Sequence, residues 1–448
     1  MSAIALDRRS QTRLSCDVLV VGGGAAGVAA AATAARHGLS VVLVERHGFC
    51  GGGAVAGHSG TVCGLYEASD NLRNRPVQAV WGFAGEFVDA LEARGGLADP
   101  VRYGKTFTRV HDPIVWRETA DAFLADAGVQ VIYHAVATRV LVEGDEAIEG
   151  AEVWTKQGPV QIRAGMTIDA SGDADLVAMA GMPSFVGDNG RVQNPTMIFR
   201  LMGVDVAAFR AAYGEDTIMP AAVSEMIVAA NGSGDYTLPR AKIWLFPTTR
   251  PGELLCNCTR IIGADGRELN PLLWRDFAEA EIEGRRQARE YARFFRDRLR
   301  GCENAYVNDM AVQVGVRQTR QIEGRAKLMN ADVVGGRKFA DGIARSPWPI
   351  ELHSGTRPKV EWLLDDVYEI PFGCFVPVKG QKIMASGRCL SAEHEAVASA
   401  RVTAQCFSYG HAIGHATVVC LRDGVAPAEL PGADLRMMLN RDGARLDG

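Results

Sequence analysis

The sequence predicts an α/β fold: helices flanking a parallel sheet, a small crossover β-sheet and an inserted α+β domain. An apolar run at residues 18–21 leads through a glycine-rich turn into an alanine-rich helix. Two later apolar runs, at 166–169 and 382–385, also end in turns of small residues that include glycine. Because a parallel sheet brings the carboxyl ends of its strands to one edge, the three turns are expected to meet there. This arrangement is Rossmann-like.

The first turn has the spacing G-x-G-x-x-G at Gly22, Gly24 and Gly27. In such a turn the first glycine permits the tight bend and the second lets the backbone approach a pyrophosphate. The third lets the helix pack on the strand. Ala25 and Ala26 begin that helix, whose free N–H groups and positive dipole end would face the phosphates. The turn therefore predicts a bound dinucleotide.

A second strand, at residues 40–44, ends at Glu45, whose carboxylate is placed to accept hydrogen bonds from ribose hydroxyls. Arg46 and a glycine-rich loop that includes Gly51 and Gly52 come next. Glycine adopts backbone conformations that other residues avoid, so the loop can wrap closely around a ligand. These three residues are therefore predicted to contact the cofactor as well.

Helices and a small sheet are expected between the first and second turns. Hydrophobic periodicity predicts helices at 77–94 and 113–127. A strand at 129–134 is expected to begin the sheet, with further strands at 138–142, 150–154 and 161–163. Val136, near the start of this sheet, is predicted to contact the cofactor.

The second and third turns contribute further candidate contacts. The second contains Gly172 and Asp173, and the third contains Gly387 and Arg388. Two glycine turns separated by a crossover sheet imply a dinucleotide held across one edge of a parallel sheet. One long helix is expected after the third turn, at 396–421.

The middle of the chain is predicted to be an inserted substrate or cap domain over residues 187–369. It contains β-like runs and a long, strongly charged helix at 279–300. Residues 1–186 and 370–448 then form a discontinuous cofactor-binding domain. A length of 448 residues agrees with two or three domains.

Composition excludes several classes of protein. A net charge of -5 argues against a nucleic-acid binder. No apolar run of about 18 residues is present, so no membrane span is expected, and residues 1–15 lack the apolar centre of a secretory signal. The ten cysteines lack disulfide-framework spacing, which favours reduced thiols and a cytoplasmic protein. Cys256 and Cys258 have no further ligands in view, so no metal site is expected.

Four stretches together resemble the FAD-dependent oxidoreductases of the glutathione-reductase-like superfamily, and more narrowly the large bacterial family of FAD-dependent oxidoreductases. They are residues 22–45, 169–173, 315–320 and 386–396, the last followed by Arg401. Glu351 stands where that family more usually has aspartate. The resemblance implies FAD as the cofactor and does not name a substrate.

The resemblance also implies how FAD is held. The glycines of the first turn and Glu45 would bind its AMP half, and the second and third turns would line it further along. The helix after His394 would cover the pyrimidine edge of the flavin. Cys50 or His58 could bond covalently to a flavin, but nothing indicates an activated thiolate, so noncovalent binding is favoured.

The protein must still position a substrate C–H bond and manage a proton, because FAD carries the hydride chemistry. Histidine suits a base near neutral pH. His394 is the first candidate, since it lies between the third turn and the following helix, and His353 is the second. The competing interpretation is that His394 only forms a hydrogen bond to the backbone at the start of the helix.

Three arginines are candidates for holding an anion. Arg317, Arg320 and Arg401 could clamp a carboxylate or stabilise reduced flavin through bidentate bonds, or could be structural ion-pair partners. Arg401, a few residues into the expected helix, is the one assigned to catalysis.

The function predicted is an FAD-dependent dehydrogenase or oxidase that takes hydride from a small polar organic molecule. Electrons would pass to oxygen or another acceptor, because no second strand-turn-helix unit for NAD(P)H is visible. A flavin monooxygenase or reductase that uses NAD(P)H is the alternative, and a non-catalytic flavin-binding protein is a third class. The oligomeric state stays open, with a homo-oligomer as one option.

Overall fold

The computed structural model of the chain describes residues 12–72, 75–144, 146–353 and 358–447. Most of the amino-terminal segment, for which no secretory signal is predicted, lies outside the described residues. None of the helices within them combines the length and the apolar character that a membrane crossing requires.

The described chain begins with a strand, a helix and a second strand, and mixes strands and helices throughout. The first group is β1 (Thr12–Val21), α1 (Ala25–Arg36), β2 (Val41–Val44), α2 (Gly52–Val55), α3 (Phe83–Ala93), β3 (Val101–Tyr103), β4 (Thr106–Thr108), α4 (Pro113–Asp126), β5 (Gln130–Ile132), β6 (Val136–Glu143), β7 (Ala147–Thr155), β8 (Gly158–Asp169) and α5 (Asp175–Met179). The middle group is β9 (Ser184–Val186), β10 (Phe199–Met202), α6 (Val206–Tyr213), α7 (Ala221–Gly232), β11 (Trp244–Pro247), β12 (Leu254–Asn257), α8 (Trp274–Arg298) and β13 (Tyr306–Met310). The last group is β14 (Arg320–Ile322), α9 (Asn330–Val334), β15 (Gly342–Ser346), β16 (Ile350–Leu352), β17 (Lys359–Glu361), β18 (Tyr368–Pro371), a 3₁₀ turn (Phe372–Phe375), β19 (Ile383–Ala385), α10 (His394–Ala400), α11 (Thr403–Asp423) and α12 (Gly432–Arg441).

A seven-stranded sheet forms the centre of the molecule, with the order β5-β2-β1-β8-β7-β6 and with β19 also paired to β8. Its strands β5, β2, β1, β8 and β19 are parallel. Val21 pairs with both Val44 and Asp169, and Asp169 pairs with Ala385. The last residues of these four strands are thus level with one another, so the turns that follow meet at one edge. The predicted α/β fold is confirmed.

The small sheet differs from the prediction in two respects. The strand at 129–134 does not begin it: β5 pairs in parallel with β2, because α4 carries the chain back to the edge of the central sheet. The strand predicted at 161–163 and the apolar run at 166–169 are not separate strands, because both belong to β8, a single strand of 12 residues. Its residues 158–163 pair with β7 and its residues 160–169 pair with β1, so the crossover strands continue the central sheet.

Two of the predicted helices also differ. The helix expected at 77–94 begins only at Phe83, because Gly82 bends the chain at φ 66° just before it. The helix expected at 396–421 is two helices, α10 and α11, with a break at Arg401 and Val402. Beyond the break α11 packs closely on α1, and a Cβ on Gly410 would lie 2.1 Å from the Ala26 carbonyl oxygen.

A four-stranded sheet in the order β11-β12-β10-β13 lies in the middle of the chain. It has a core of its own, to which α8 contributes buried residues such as Tyr291 and Phe295. The core around α1 and α11 also contains residues from the segment 187–369 that is predicted to be inserted, among them Leu328 and Tyr368. The division at residues 187 and 369 into two domains stays a prediction.

Two histidines, His58 and His111, are buried in the folded chain. His111 is fully buried against Trp116, at 4.5 Å between ring centroids, and neither of its ring nitrogens has a hydrogen-bond partner among the described residues. Burial, followed by the charge of Arg200, lowers the pKa of His111 to about 3. Burial is also the main cause that lowers the pKa of His58 to about 4. Both rings are therefore neutral in the folded protein.

We expect acid to destabilise the fold through these rings. As the pH falls below about 6.5, the unfolded chain takes up protons that the folded chain does not, which costs about 1.4 kcal/mol per pH unit for each histidine. His111→Phe keeps an apolar ring against Trp116 and removes one such proton. Urea unfolding at about pH 6.5, 5.5 and 4.5 should show a shallower loss of unfolding free energy in the variant. Equal slopes for His111→Phe and wild type would contradict the assignment.

Candidate functional site

One cavity of about 440 Å³ lies at the edge of the sheet where the three turns meet. Its wall includes residues from each turn, namely Gly22, Gly24, Ala25 and Ala26 from the first, Ser171 and Gly172 from the second, and Ser386, Gly387 and Arg388 from the third. Other predicted cofactor contacts also line it: Glu45, Arg46, Gly51, Gly52 and Val136. The structure thus brings together predicted cofactor contacts that lie up to 366 positions apart in the sequence, Gly22 and Arg388 being the extremes of that set.

The start of α1 is built to receive an anion. Gly24 precedes the helix without a side-chain cap, and the first turn of α1 contains no acidic residue. The first N–H groups of a helix lack partners within the helix and carry its positive dipole end. A Cβ on Gly24 would lie 4.0 Å from the nearest atom, Gly52 Cα, so the space above this glycine is open. The helix end and the open space fit the pyrophosphate of FAD.

The Glu45 carboxylate is held in place on the cavity wall. Its two oxygens accept hydrogen bonds from the backbone N–H groups of Gly23, at 2.7 Å, and His47, at 2.8 Å. Each carboxylate oxygen keeps a second acceptor position, which suits the ribose hydroxyls. Beside it, Arg46 is held by a 2.6 Å bond from its Nη2 to Gln313 Oε1.

The glycine-rich loop presses against the first turn. Gly51 donates its N–H to the Gly23 carbonyl at 2.8 Å and has a φ of 140°, which only glycine adopts readily. A Cβ on Gly52 would lie 3.0 Å from Gly24 Cα. Side chains at these positions would therefore displace the backbone that forms the anion site.

Two predicted cofactor contacts are not among the described residues that line the cavity. At Gly27 a Cβ would lie 1.8 Å from the Gly22 carbonyl oxygen, so this glycine permits helix-strand packing, as its place in the motif predicts. Asp173 accepts hydrogen bonds from Arg388 Nη2, at 2.7 Å, and from Thr319 Oγ1, at 2.5 Å. Asp173 therefore orients Arg388 and acts through it.

His394 also lies apart from the cavity wall in the described structure. It is the first residue of α10, and the charges of Asp188, Glu268 and Arg191 affect its pKa. Burial lowers the pKa of His394, and its Nδ1 has no hydrogen-bond partner among the described residues. The helix break directs Arg401 onto the cavity, whereas the start of α10 leaves His394 away from it.

Cys50 and His58, the two candidates for a covalent link, are both buried and neither belongs to the cavity wall as described. Burial raises the pKa of the Cys50 thiol to about 12. A thiol held in that state is a poor nucleophile. This geometry favours FAD bound without a covalent link.

His353 and Glu351 line another part of the same cavity. Tyr103 donates its hydroxyl to Glu351 Oε1 at 2.7 Å, and His353 Nε2 lies 3.5 Å from the same oxygen. Burial and the charges of nearby arginines hold the pKa of His353 well below its ordinary value. The sequence did not single out Tyr103, because it lies 248 residues from Glu351 on a short strand with no motif.

Two of the three candidate arginines, Arg317 and Arg401, line this part of the cavity. Arg320 does something else: its Nη1 donates to the Asp173 carbonyl at 2.9 Å and lies 3.3 Å from Asp175 Oδ1. Its role is to support the second turn.

A further cluster joins two histidines of α11 to the carboxyl-terminal segment. His411 Nε2 and His415 Nε2 lie 2.7 and 2.8 Å from Asp442 Oδ2. The donor atoms are close enough together to hold a metal ion. Two N–H groups donating to one carboxylate account for the same geometry without a metal.

The sequence matches the model of the family described as FAD dependent oxidoreductase over residues 17–439. Digeranylgeranylglycerophospholipid reductase of Thermoplasma volcanium is 26% identical over 191 residues, which are 42% of this chain and 48% of that protein. A short match to 4-oxocyclohex-2-ene-1-carboxylate 5-dehydrogenase of Sinomonas cyclohexanicum has 59% identity over 39 residues, 9% of this chain and 7% of that one. The chain therefore matches about half or less of the length of these curated relatives.

Among solved structures, a geranylgeranyl bacteriochlorophyll reductase-like protein of Thermoplasma acidophilum superposes with a TM-score of 0.51 and 15% identity. The superposition covers 97% of this chain and 85% of that one, and it shows a shared fold. The family match spans nearly the whole sequence, and the glycine turns, the helix start and Glu45 fit FAD. The chain belongs to the FAD-dependent oxidoreductase family, and it is an enzyme with FAD as its cofactor.

Proposed function

We propose that this enzyme is a dehydrogenase or oxidase that removes hydride from a small polar organic substrate. The observation that carries the proposal is the continuity of the cavity. The wall that begins at the FAD-binding turns extends to the pair formed by His353 and Glu351. FAD supplies the acceptor for the hydride, and oxygen or another oxidant takes the electrons onward.

The chain's own residues would manage the proton. As a C–H bond gives up its hydrogen and electron pair, the substrate's O–H or N–H proton must leave, so that a C=O or C=N bond forms. We assign His353 Nδ1 as the acceptor of that proton, because Nε2 faces Glu351 whereas Nδ1 has no hydrogen-bond partner among the described residues. The low pKa of His353 keeps the ring neutral before the reaction. Glu351 would stabilise the imidazolium, and the bond from Tyr103 fixes the position of its carboxylate. Arg401, on the same wall, would hold the substrate.

An anaerobic screen tests the proposal. Alcohols, amines and acids are mixed with the yellow holoenzyme, and loss of the visible flavin absorbance is followed. At least one class should bleach the flavin, and His353→Gln should slow the bleaching by about 100-fold or more at unchanged FAD content. His394→Gln is the matched control, which should react at the wild-type rate.

Two outcomes would contradict the proposal. Rapid bleaching by NADPH without any substrate would favour the alternative, a monooxygenase or reductase that uses NAD(P)H. A slow His394→Gln variant with an unaffected His353→Gln variant would return the base to His394.

A further inference from the structure

The part of the cavity wall around His353 has an excess of positive charge. Arg317 and Arg401 line it, and Arg240 lies behind them, lining a small neighbouring cavity together with Arg317 and His353. Glu351 is the carboxylate that interacts with all three. Three guanidinium groups thus face one carboxylate, which leaves the region positive.

The hydrogen bonds of these arginines go to neutral oxygens. Arg317 Nη1 donates to the Asn194 carbonyl at 2.7 Å. Arg401 Nη2 reaches Gln193 Oε1 only at 3.3 Å, and the contact of Arg317 Nη2 with Asn257 Oδ1 is 3.4 Å. Each guanidinium has five N–H donors, so both arginines on the cavity wall keep donors for a ligand. A buried cation without an anionic partner is costly, and a bound anion would relieve that cost.

The walls beside the arginines are aromatic. Tyr103, Phe246 and Trp348 line the same cavity and are buried. The ring centroid of Tyr103 lies 5.0 Å from that of Trp348 and 6.1 Å from that of Phe246. A ligand that fits here has a compact apolar body next to its charged group.

We propose that Arg317 and Arg401 bind a carboxylate of the substrate, and that the substrate is a small cyclic or aromatic acid. The inference rests on the proposed function, whose substrate class it names. Guanidinium groups recognise carboxylates through paired, charge-assisted bonds, and the aromatic walls bury the ring of the acid.

The same arrangement links binding to chemistry. The charges of Arg317, Arg240 and Arg401 help to keep His353 neutral. A carboxylate bound between them would offset part of that charge, so His353 would hold a proton more readily when the substrate is present. Binding of the substrate's carboxylate would thereby make His353 a stronger base for the O–H or N–H proton that the substrate must lose.

Calorimetric titration of the oxidised holoenzyme tests the proposal without turnover. Benzoate is the probe, and benzyl alcohol and inorganic phosphate are the comparisons. Benzoate should bind at least about tenfold more tightly than either, because only benzoate combines the carboxylate with the ring. Arg401→Gln and Arg317→Lys should each weaken benzoate binding by at least about tenfold at unchanged FAD content.

A matched control is Arg285→Gln, which removes one positive charge from the surface of α8, where Arg285 pairs with Glu281. This variant should bind benzoate as the wild type does. Equal affinity for benzoate and benzyl alcohol, equal affinity for phosphate, or full affinity in both cavity variants would overturn the proposal.

The result separates the two inferences. If benzoate binds as expected but no organic compound bleaches the flavin, the hydride-transfer function fails and the carboxylate site stands. If a cyclic or aromatic acid bleaches the flavin equally fast in wild type and Arg401→Gln, the function stands and the carboxylate assignment is wrong.

Discussion

Replacing Gly24 by valine is expected to remove bound FAD while the protein keeps its fold. Gly24 has a φ of -70°, which any residue adopts, and an added Cβ would lie 4.0 Å from the nearest atom. The valine side chain therefore fits the folded chain, but it enters the space over the start of α1. There it would hold the pyrophosphate away from the N–H groups of Ala25 and Ala26. Losing two or more charge-assisted hydrogen bonds weakens binding by about 100-fold or more.

The measurement is the ratio of flavin to protein after purification, followed by titration of the FAD-free protein with FAD. Gly232→Val is the control for the substitution itself, because Gly232 also has open space around it and lies at the end of α7. Gly22→Ala shows the contrasting case: its φ is 106° and its Cβ would lie 2.3 Å from the Ala170 carbonyl oxygen, so folding should fail together with binding. A Gly24→Val protein with full FAD content would refute the assignment of the phosphate site.

The cofactor end of the cavity could be predicted because its signals are local. Each glycine turn follows directly on an apolar strand, and the helix start at Ala25 comes directly after Gly24. The turns meet once the strands pair in parallel with their last residues level. Val21 and Ala385 both pair with Asp169, which places the ends of the three strands level with one another.

The end of the cavity around His353 could not be predicted in the same way, because its residues come together only through tertiary packing. Tyr103 meets Glu351 across 248 residues, with no spacing that relates them. Arg401 lines the cavity because α10 and α11 are separate helices. The Ala404 N–H bonds to the Cys63 carbonyl at 3.1 Å just after the break, a contact that no helical periodicity reveals. The preference for His394 over His353 followed from position along the chain, which says little about the direction of a side chain at a helix start.

Removing one member of the buried ion pair between Arg200 and Glu253 is expected to destabilise the folded protein strongly. Both side chains are 0% exposed, and Arg200 Nη1 lies 2.6 Å from Glu253 Oε2. Glu253 Oε2 also accepts the Thr248 hydroxyl at 2.7 Å. Arg200 Nη2 donates to the His111 carbonyl at 3.3 Å, which ties β10 of the four-stranded sheet to the segment before α4. The pair therefore joins the sheet in the middle of the chain to the part that holds FAD.

Glu253→Ala would leave the Arg200 guanidinium buried without its counter-charge, at a cost of about 3–5 kcal/mol. The double variant Arg200→Met with Glu253→Leu removes both charges and fills similar volume, so it should recover most of the loss. Urea unfolding of the three proteins measures these differences, and Asp70→Ala, at the exposed ion pair with Lys105, is the control that should cost less than about 1 kcal/mol. A Glu253→Ala protein within about 1 kcal/mol of wild type would mean that water or a neighbouring group compensates Arg200. A double variant as unstable as the single one would instead assign the loss to the bond between Thr248 and Glu253, because this bond is what both variants lack.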